Sequence, residues 1–223
     1  MYGILRRADD VLRRHSWVTR AEGTSIASLA ALIGVFGVLY GAVMGSYGAT
    51  LGPEVLQMLY SALKVPLLLL ATFSLSLPSF FVANSLLGLR KDFGESIRAL
   101  LATQAGLAII LASLSPLTLF WYASVGRYPA AVAFNAVMFG IASVSAQWIL
   151  RGYYRTLIRR DTRHRWMMWV WIVVYTFIGI QMGWLLRPFI GDPASPVQFF
   201  RAESWGNAYV IVFKLFWRLL SGR

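Results

Sequence analysis

VPLLLLATFSLSLPSFFVANSLLG, residues 65–88, contains no Asp, Glu, Lys or Arg. A helix needs about 20 apolar residues to cross a hydrocarbon core of about 30 Å. Four further stretches have the same character and also lack Asp and Glu, at about 25–46, 96–122, 129–150 and 166–186. The sequence therefore predicts an all-α fold, a polytopic membrane helix bundle with about five transmembrane helices.

The composition of the chain supports a membrane protein and leaves no room for a large soluble domain. Of its 223 residues 58% are hydrophobic and only 13% are charged, whereas a soluble domain is about 25% charged. The net charge is +12, which in a soluble protein suggests nucleic acid. Here the basic residues cluster at the ends of apolar stretches. We therefore expect the partners to be the lipid bilayer and anionic lipid head groups, and no nucleic acid.

The two ends of the chain are expected to lie at the membrane surface. Residues 1–23 are basic, and Leu5, Ala8 and Leu12 fall at helical spacing, which predicts an amphipathic interfacial helix. Residues 24–187 form the five-span domain, with a short interfacial helix within 47–63. Residues 188–223 form a proline-rich loop and a second interfacial helix at about 205–220. A sixth crossing by that last helix stays an alternative.

The basic residues also predict the orientation, because Lys and Arg prefer the cytoplasmic side of short loops. With five spans, fourteen of them fall on the side of the N-terminus and seven on the other. This favours a cytoplasmic N-terminus. The most basic connector follows residue 150. Candidate head-group contacts are Arg155, Arg159, Arg160, Arg163 and Arg187.

The first span carries a row of glycines. Gly37, Gly41 and Gly45 stand four residues apart, with Gly34 nearby. Residues at this spacing share one helix face, and small residues let another backbone approach closely in lipid. These glycines are candidate helix-packing residues. The pattern leaves open whether the partner is another span or another protomer.

The second span contains Pro66 and Pro78, which predict kinks, and small hydroxyl residues near them. With amides of other spans they form a candidate polar lining: Ser74, Ser76, Asn84, Gln104 and Asn135. Amides at membrane depth also serve as hydrogen-bonding contacts between helices, so both interpretations stay open. Lys64, at the mouth of this span, is expected to extend toward the outer head groups.

The sequence contains none of the usual patterns of catalytic or metal-binding residues. It has no Cys and two His, and His15 and His164 both lie in basic segments where repulsion disfavours a cation. Asp92 and Glu95 have the spacing of a capping box. No phosphate-binding loop or dinucleotide fingerprint is present. We therefore predict no cofactor, no metal site and no enzymatic activity.

The segment WLLRPFIGDP, residues 184–193, continues through Pro196 to Arg201 and is the most distinctive part of the chain. Together with Lys64-Val65-Pro66 it resembles a group of uncharacterised bacterial multi-pass membrane proteins that are similar to Yip-domain proteins. The resemblance implies five spans, a bacterial inner membrane and a cytosolic N-terminus. It implies no catalytic residue.

Two functions follow from these patterns. The leading one is a non-enzymatic scaffold or subunit of a membrane complex, in contact with itself or with another membrane subunit. The alternative is a small transporter or channel for a neutral solute, lined by the second span and the intramembrane amides. A membrane enzyme would need an acid or a histidine brought to a cavity by folding.

Overall fold

The computed structural model describes residues 2–20, 23–47, 54–192, 196–200 and 209–210. Within these ranges the protein is helical and contains no strand. Two short 3-10 turns, Ser16–Thr19 and Arg90–Asp92, accompany seven α-helices. These are α1 Tyr2–Leu12, α2 Ile26–Gly45, α3 Glu54–Leu86, α4 Phe93–Ser113, α5 Ser115–Ser124, α6 Tyr128–Arg160 and α7 His164–Leu186.

The predicted fold class is confirmed. Five helical segments are long and apolar enough to cross a membrane: α2, α3, α4 together with α5, α6 and α7. Successive crossings alternate in direction, so the bundle has two ends. We call the end that carries residues 2–20, 87–92 and 161–163 the N-terminal face, and the end that carries 125–127 and 187–192 the far face.

Two predicted boundaries are wrong. The interfacial helix expected within 47–63 and the span that follows it are one continuous helix from Glu54 to Leu86, which runs through Pro66 and Pro78. Residues 48–53 lie outside the described part of the chain. The basic connector after residue 150 is not a loop either, because α6 continues to Arg160. α3 and α6 therefore each extend more than two turns beyond the apolar stretches from which they were predicted.

The third span is the centre of the bundle. In its most apolar window 72% of the residues are buried, against 11% in α7. It breaks at Leu114, where α4 ends and α5 begins with Pro116 in its first turn. Proline fits there because the first turn needs no intrahelical donor. α2 and α6 pack on α4, while α7 packs mainly on α3.

The N-terminal helix rests on the bundle through the edge that carries Ala8 and Val11. Ala8 and Val11 are buried, and Val11 contributes its carbonyl to a 2.9 Å hydrogen bond from the Tyr153 hydroxyl on α6. Leu5 and Leu12 are exposed. The helix therefore docks along its Ala8–Val11 edge and leaves its larger apolar side chains uncovered.

The glycine row of α2 faces α3 of the same chain. A Cβ atom on Gly41 would lie 2.3 Å from the Ser61 carbonyl oxygen, and one on Gly45 would lie 2.8 Å from the Met58 Cα. Gly37 approaches Pro66. Gly34 differs, because a Cβ there would meet nothing within 4 Å. Three of the four candidate packing glycines thus lie at the α2–α3 contact.

Candidate functional site

A basic pocket of about 500 Å³ opens at the N-terminal face, between the 3-10 turn Ser16–Thr19 and the ends of α4 and α6. Five of the side chains that line it are cationic and one is acidic, namely Arg14, Arg20, Lys91, Arg98, Arg160 and Glu95. Thr19, Tyr153 and Thr156 add hydroxyl groups. The charge and the hydroxyl donors suit an anion with several oxygen atoms.

Local structure holds these cations in place. Arg14 adopts a left-handed backbone conformation with φ of 58°, and its side chain crosses α6 at Gly152, where a Cβ would lie 2.5 Å from the Arg14 Cδ. Arg98 donates a 3.1 Å hydrogen bond to the carbonyl of Thr24, just before α2. The absence of a side chain at Gly152 therefore admits Arg14 to the pocket.

A network of charges borders the pocket. Arg160 lies 2.6 Å from a Glu95 oxygen and 3.8 Å from an Asp92 oxygen. The other Asp92 oxygen is 3.1 Å from His164 Nε2. This network could not be predicted from the sequence, because its partners are about 65 to 72 residues apart.

Two predictions are wrong at this network. His164 was expected at the surface of a basic segment, but it has no exposed surface and packs against Tyr154. Asp92 was expected to cap α4, but its side chain makes no capping hydrogen bond and is directed to His164 instead.

The predicted head-group contacts fall into three groups. Arg155 and Arg159 are exposed on α6 near the N-terminal face. Arg160 lines the basic pocket, and Arg163 donates a 3.1 Å hydrogen bond to the carbonyl of Leu87. Arg187 lies at the far face, where its Cζ is 3.2 Å from the centre of the Trp184 ring. These five residues therefore do not form one surface.

The predicted polar lining is not brought together. Ser74 is exposed on the outside of α3, and Ser76 is buried and donates to Thr72 of its own helix. Gln104 accepts a 2.7 Å hydrogen bond from Tyr175, and Asn135 bonds with Tyr40 and Tyr122 in a different part of the bundle. Ser74, Ser76, Gln104 and Asn135 therefore do not line one common surface in this arrangement, and a transport path along span 2 stays a prediction.

Asn84 is the remaining member of that set. It is fully buried, and neither its side-chain oxygen nor its nitrogen has a hydrogen-bond partner among the described residues. It lies in the last turn of α3, near the N-terminal face.

Lys64 is also placed differently from the prediction. Instead of extending to head groups it is fully buried, and its Nζ donates a 2.7 Å hydrogen bond to the carbonyl of Pro188. The Phe199 ring centre lies 4.8 Å from that Nζ. One and two turns earlier on α3, Ser61 and Gln57 donate to the carbonyl of Phe189. We call these contacts between α3 and the segment after α7 the loop clasp.

Two further predictions concern metal binding and the last helix of the chain. No group of three or more metal-binding side chains occurs in the described ranges. Of the helix expected at about 205–220, the structure describes only Tyr209 and Val210. The ring of Tyr209 stacks on Phe177 of α7 with 4.4 Å between centres. At 1.5 Å per residue, Phe177 is about 13 Å from the end of α7. Tyr209 therefore lies beside the middle of this helix and not at its end.

Comparisons of the chain with protein-family models, with curated proteins and with solved structures found no significant match. The resemblance to Yip-domain proteins stays a prediction.

Proposed function

We propose that the protein is a non-enzymatic component of a cell membrane, a scaffold or a subunit of a larger complex, that holds a phosphate-bearing anion in its basic pocket. The observation that carries this proposal is the lining of the pocket, in which five cationic side chains face one carboxylate. The carboxylate of Glu95 is already paired with Arg160 at 2.6 Å. The other cations leave an excess of positive charge for a ligand.

A lipid head group is the favoured source of the phosphate. Trp148, Trp166 and Trp169 are exposed on α6 and α7 near the same face. Tryptophan prefers the depth of the head groups, so these rings support a pocket at that level. We further propose that this face is cytoplasmic, because fourteen of the 21 Lys and Arg fall on its side, and anionic lipid is concentrated in that leaflet.

Binding to the purified protein in phosphatidylcholine nanodiscs tests the proposal. We expect dihexanoyl phosphatidic acid to bind and dihexanoyl phosphatidylcholine not to bind. Replacing Arg20 and Lys91 together by Gln should weaken binding about 10-fold or more, because a charge-assisted hydrogen bond contributes about 1.5–3 kcal/mol. Binding should also weaken between 0.05 and 0.5 M salt, since exposed charges are screened.

The matched control replaces Arg151 and Arg165 by Gln, two exposed residues that do not line the pocket. This pair removes the same charge from exposed positions outside the pocket and should leave affinity within about twofold, since screened surface charges contribute little. Equal weakening by both pairs would contradict the proposal, because it would show general attraction to a basic surface. Inorganic pyrophosphate that binds as tightly as the phosphatidic acid would show that the site takes a free anion rather than a lipid.

A further inference from the structure

A second cavity, of about 290 Å³, lies halfway along the spans between α3, α4, α6 and α7. We call it the central cavity. It shares no lining residue with the basic pocket. Thr72, Gln104, Gln147 and Tyr175 contribute polar groups to it from four different helices. It is therefore a separate site with different chemistry.

The walls of the central cavity are mainly apolar and aromatic, with Leu107, Phe139 and Trp171 among them. None of the described residues that line it is charged. A charged ligand would lose its hydration there without gaining a counter-ion, which is costly in a low-dielectric environment. The cavity therefore selects for a neutral molecule.

Two polar groups in this lining lack a hydrogen bond to protein. Thr72 is only 1% exposed, and its Oγ1 has no partner among the residues that the structure describes. Gln147 Oε1 also has no hydrogen-bond partner among these residues. Gln104 differs, because it accepts from the Tyr175 hydroxyl. An unpaired polar group at membrane depth costs several kcal/mol, so a ligand hydroxyl that bonds to Thr72 or Gln147 would relieve that cost.

The central cavity reaches the side of the bundle. α6 packs mainly on α4 and α7 mainly on α3, so the two touch each other little. Thr176 and Ile180 line the cavity and are also exposed on α7. A molecule dissolved in the bilayer can therefore enter between α6 and α7. The volume of the central cavity is just below the range of about 300–1,000 Å³ typical of small-molecule sites. The cavity therefore suits one end of a long molecule.

From these four observations we propose that the central cavity binds the hydroxyl end of a neutral, membrane-soluble molecule. Its hydroxyl accepts a hydrogen bond from Thr72 Oγ1 and donates one to Gln147 Oε1. Its apolar remainder passes between α6 and α7 into the bilayer. This site is independent of the anion pocket, and either can fail without the other.

Photolabelling of the protein in phosphatidylcholine nanodiscs tests this site. The probe is a hexadecanol analogue with a diazirine near its hydroxyl, and the comparison probe has the same chain and a sulfonate in place of the hydroxyl. We expect the alcohol to label peptides of α4, α6 and α7 that line the central cavity, and the sulfonate not to label them. Equal labelling by both probes, or labelling by the alcohol only elsewhere, would overturn the proposal.

Two variants and one control sharpen the test. Thr72→Val keeps the shape and removes the hydroxyl, and it should reduce labelling about threefold to tenfold, which corresponds to one hydrogen bond. Ser143→Phe fills the cavity and should abolish labelling. Ser145→Ala is the control, because that hydroxyl lies outside the cavity and donates to Ile141 of its own helix. Unchanged labelling in folded Thr72→Val or Ser143→Phe protein would refute the site.

Discussion

Lys64 connects two distant parts of the chain through one ammonium group. Its Nζ donates to the carbonyl of Pro188 at 2.7 Å and lies 4.8 Å from the centre of the Phe199 ring. Gln57 donates to the same carbonyl at 3.2 Å. Because a buried hydrogen bond from a charged group contributes more than a neutral one, we expect Lys64 to contribute more to the loop clasp than Gln57 does.

Replacing Lys64 by Met should loosen the segment after α7. Met keeps most of the length of the side chain and removes the charge and the donor, so we expect a loss of about 1.5–3 kcal/mol of stability. Faster hydrogen exchange of backbone amides in residues 187–192 is the measurement. Lys91→Met, at an exposed position, is the control. The same exchange rate in both variants would show that Lys64 does not hold this segment.

At the scale of elements, α2 and α3 form the closest helix pair, and glycine sets their distance. The backbone of α3 comes so near that a Cβ on Gly41 would overlap the Ser61 carbonyl. The glycine face of α2 therefore packs against α3 of the same chain and is not available for self-association. Helix association in lipid depends on such packing, because the lipid tails are as apolar as the side chains.

Gly41→Leu should force α2 and α3 apart and lower the stability of the bundle by about 1–3 kcal/mol or more. Gly34→Leu is the matched control, because it makes the same change on the same helix where nothing lies within 4 Å. Thermal unfolding in detergent, followed by tryptophan fluorescence, compares the two. Equal midpoints would contradict the α2–α3 contact.

For the whole molecule, the number of crossings determines which side each connector faces. The five spans put Ser16 and Thr162 at the N-terminal face and Arg127 at the far face. All three are exposed. The excess of basic residues at the N-terminal face predicts that it is cytoplasmic.

Because the chain has no Cys, single cysteines report this topology directly. A membrane-impermeant maleimide should label Arg127→Cys in intact cells, and should label Ser16→Cys and Thr162→Cys only after the membrane is opened. Labelling of Thr162→Cys and Arg127→Cys from the same side would rule out a crossing by α6. The reverse labelling pattern would keep the fold and invert the orientation.

The apolar stretches predicted the helices, because length and hydropathy are local properties of the sequence. The spacing of Gly37, Gly41 and Gly45 likewise predicted a packing face. The burial of Lys64 could not be predicted, because its acceptor at Pro188 is 124 residues away. His164 was missed for the same reason, with Asp92 72 residues from it. The basic pocket depends on three such separate segments, so its cations were seen only as membrane-surface charges.

The loop clasp can form only after most of the chain has been synthesised. α2 and α3 are neighbours in the chain and can pair as soon as both have left the ribosome. At about 5–20 residues per second, the 124 residues between Lys64 and Pro188 take roughly 6–25 s to translate. Until then water or head groups must solvate the Lys64 ammonium near the membrane boundary. The far face is thus the last part of the bundle to close, and a chain truncated before Pro188 would leave it open.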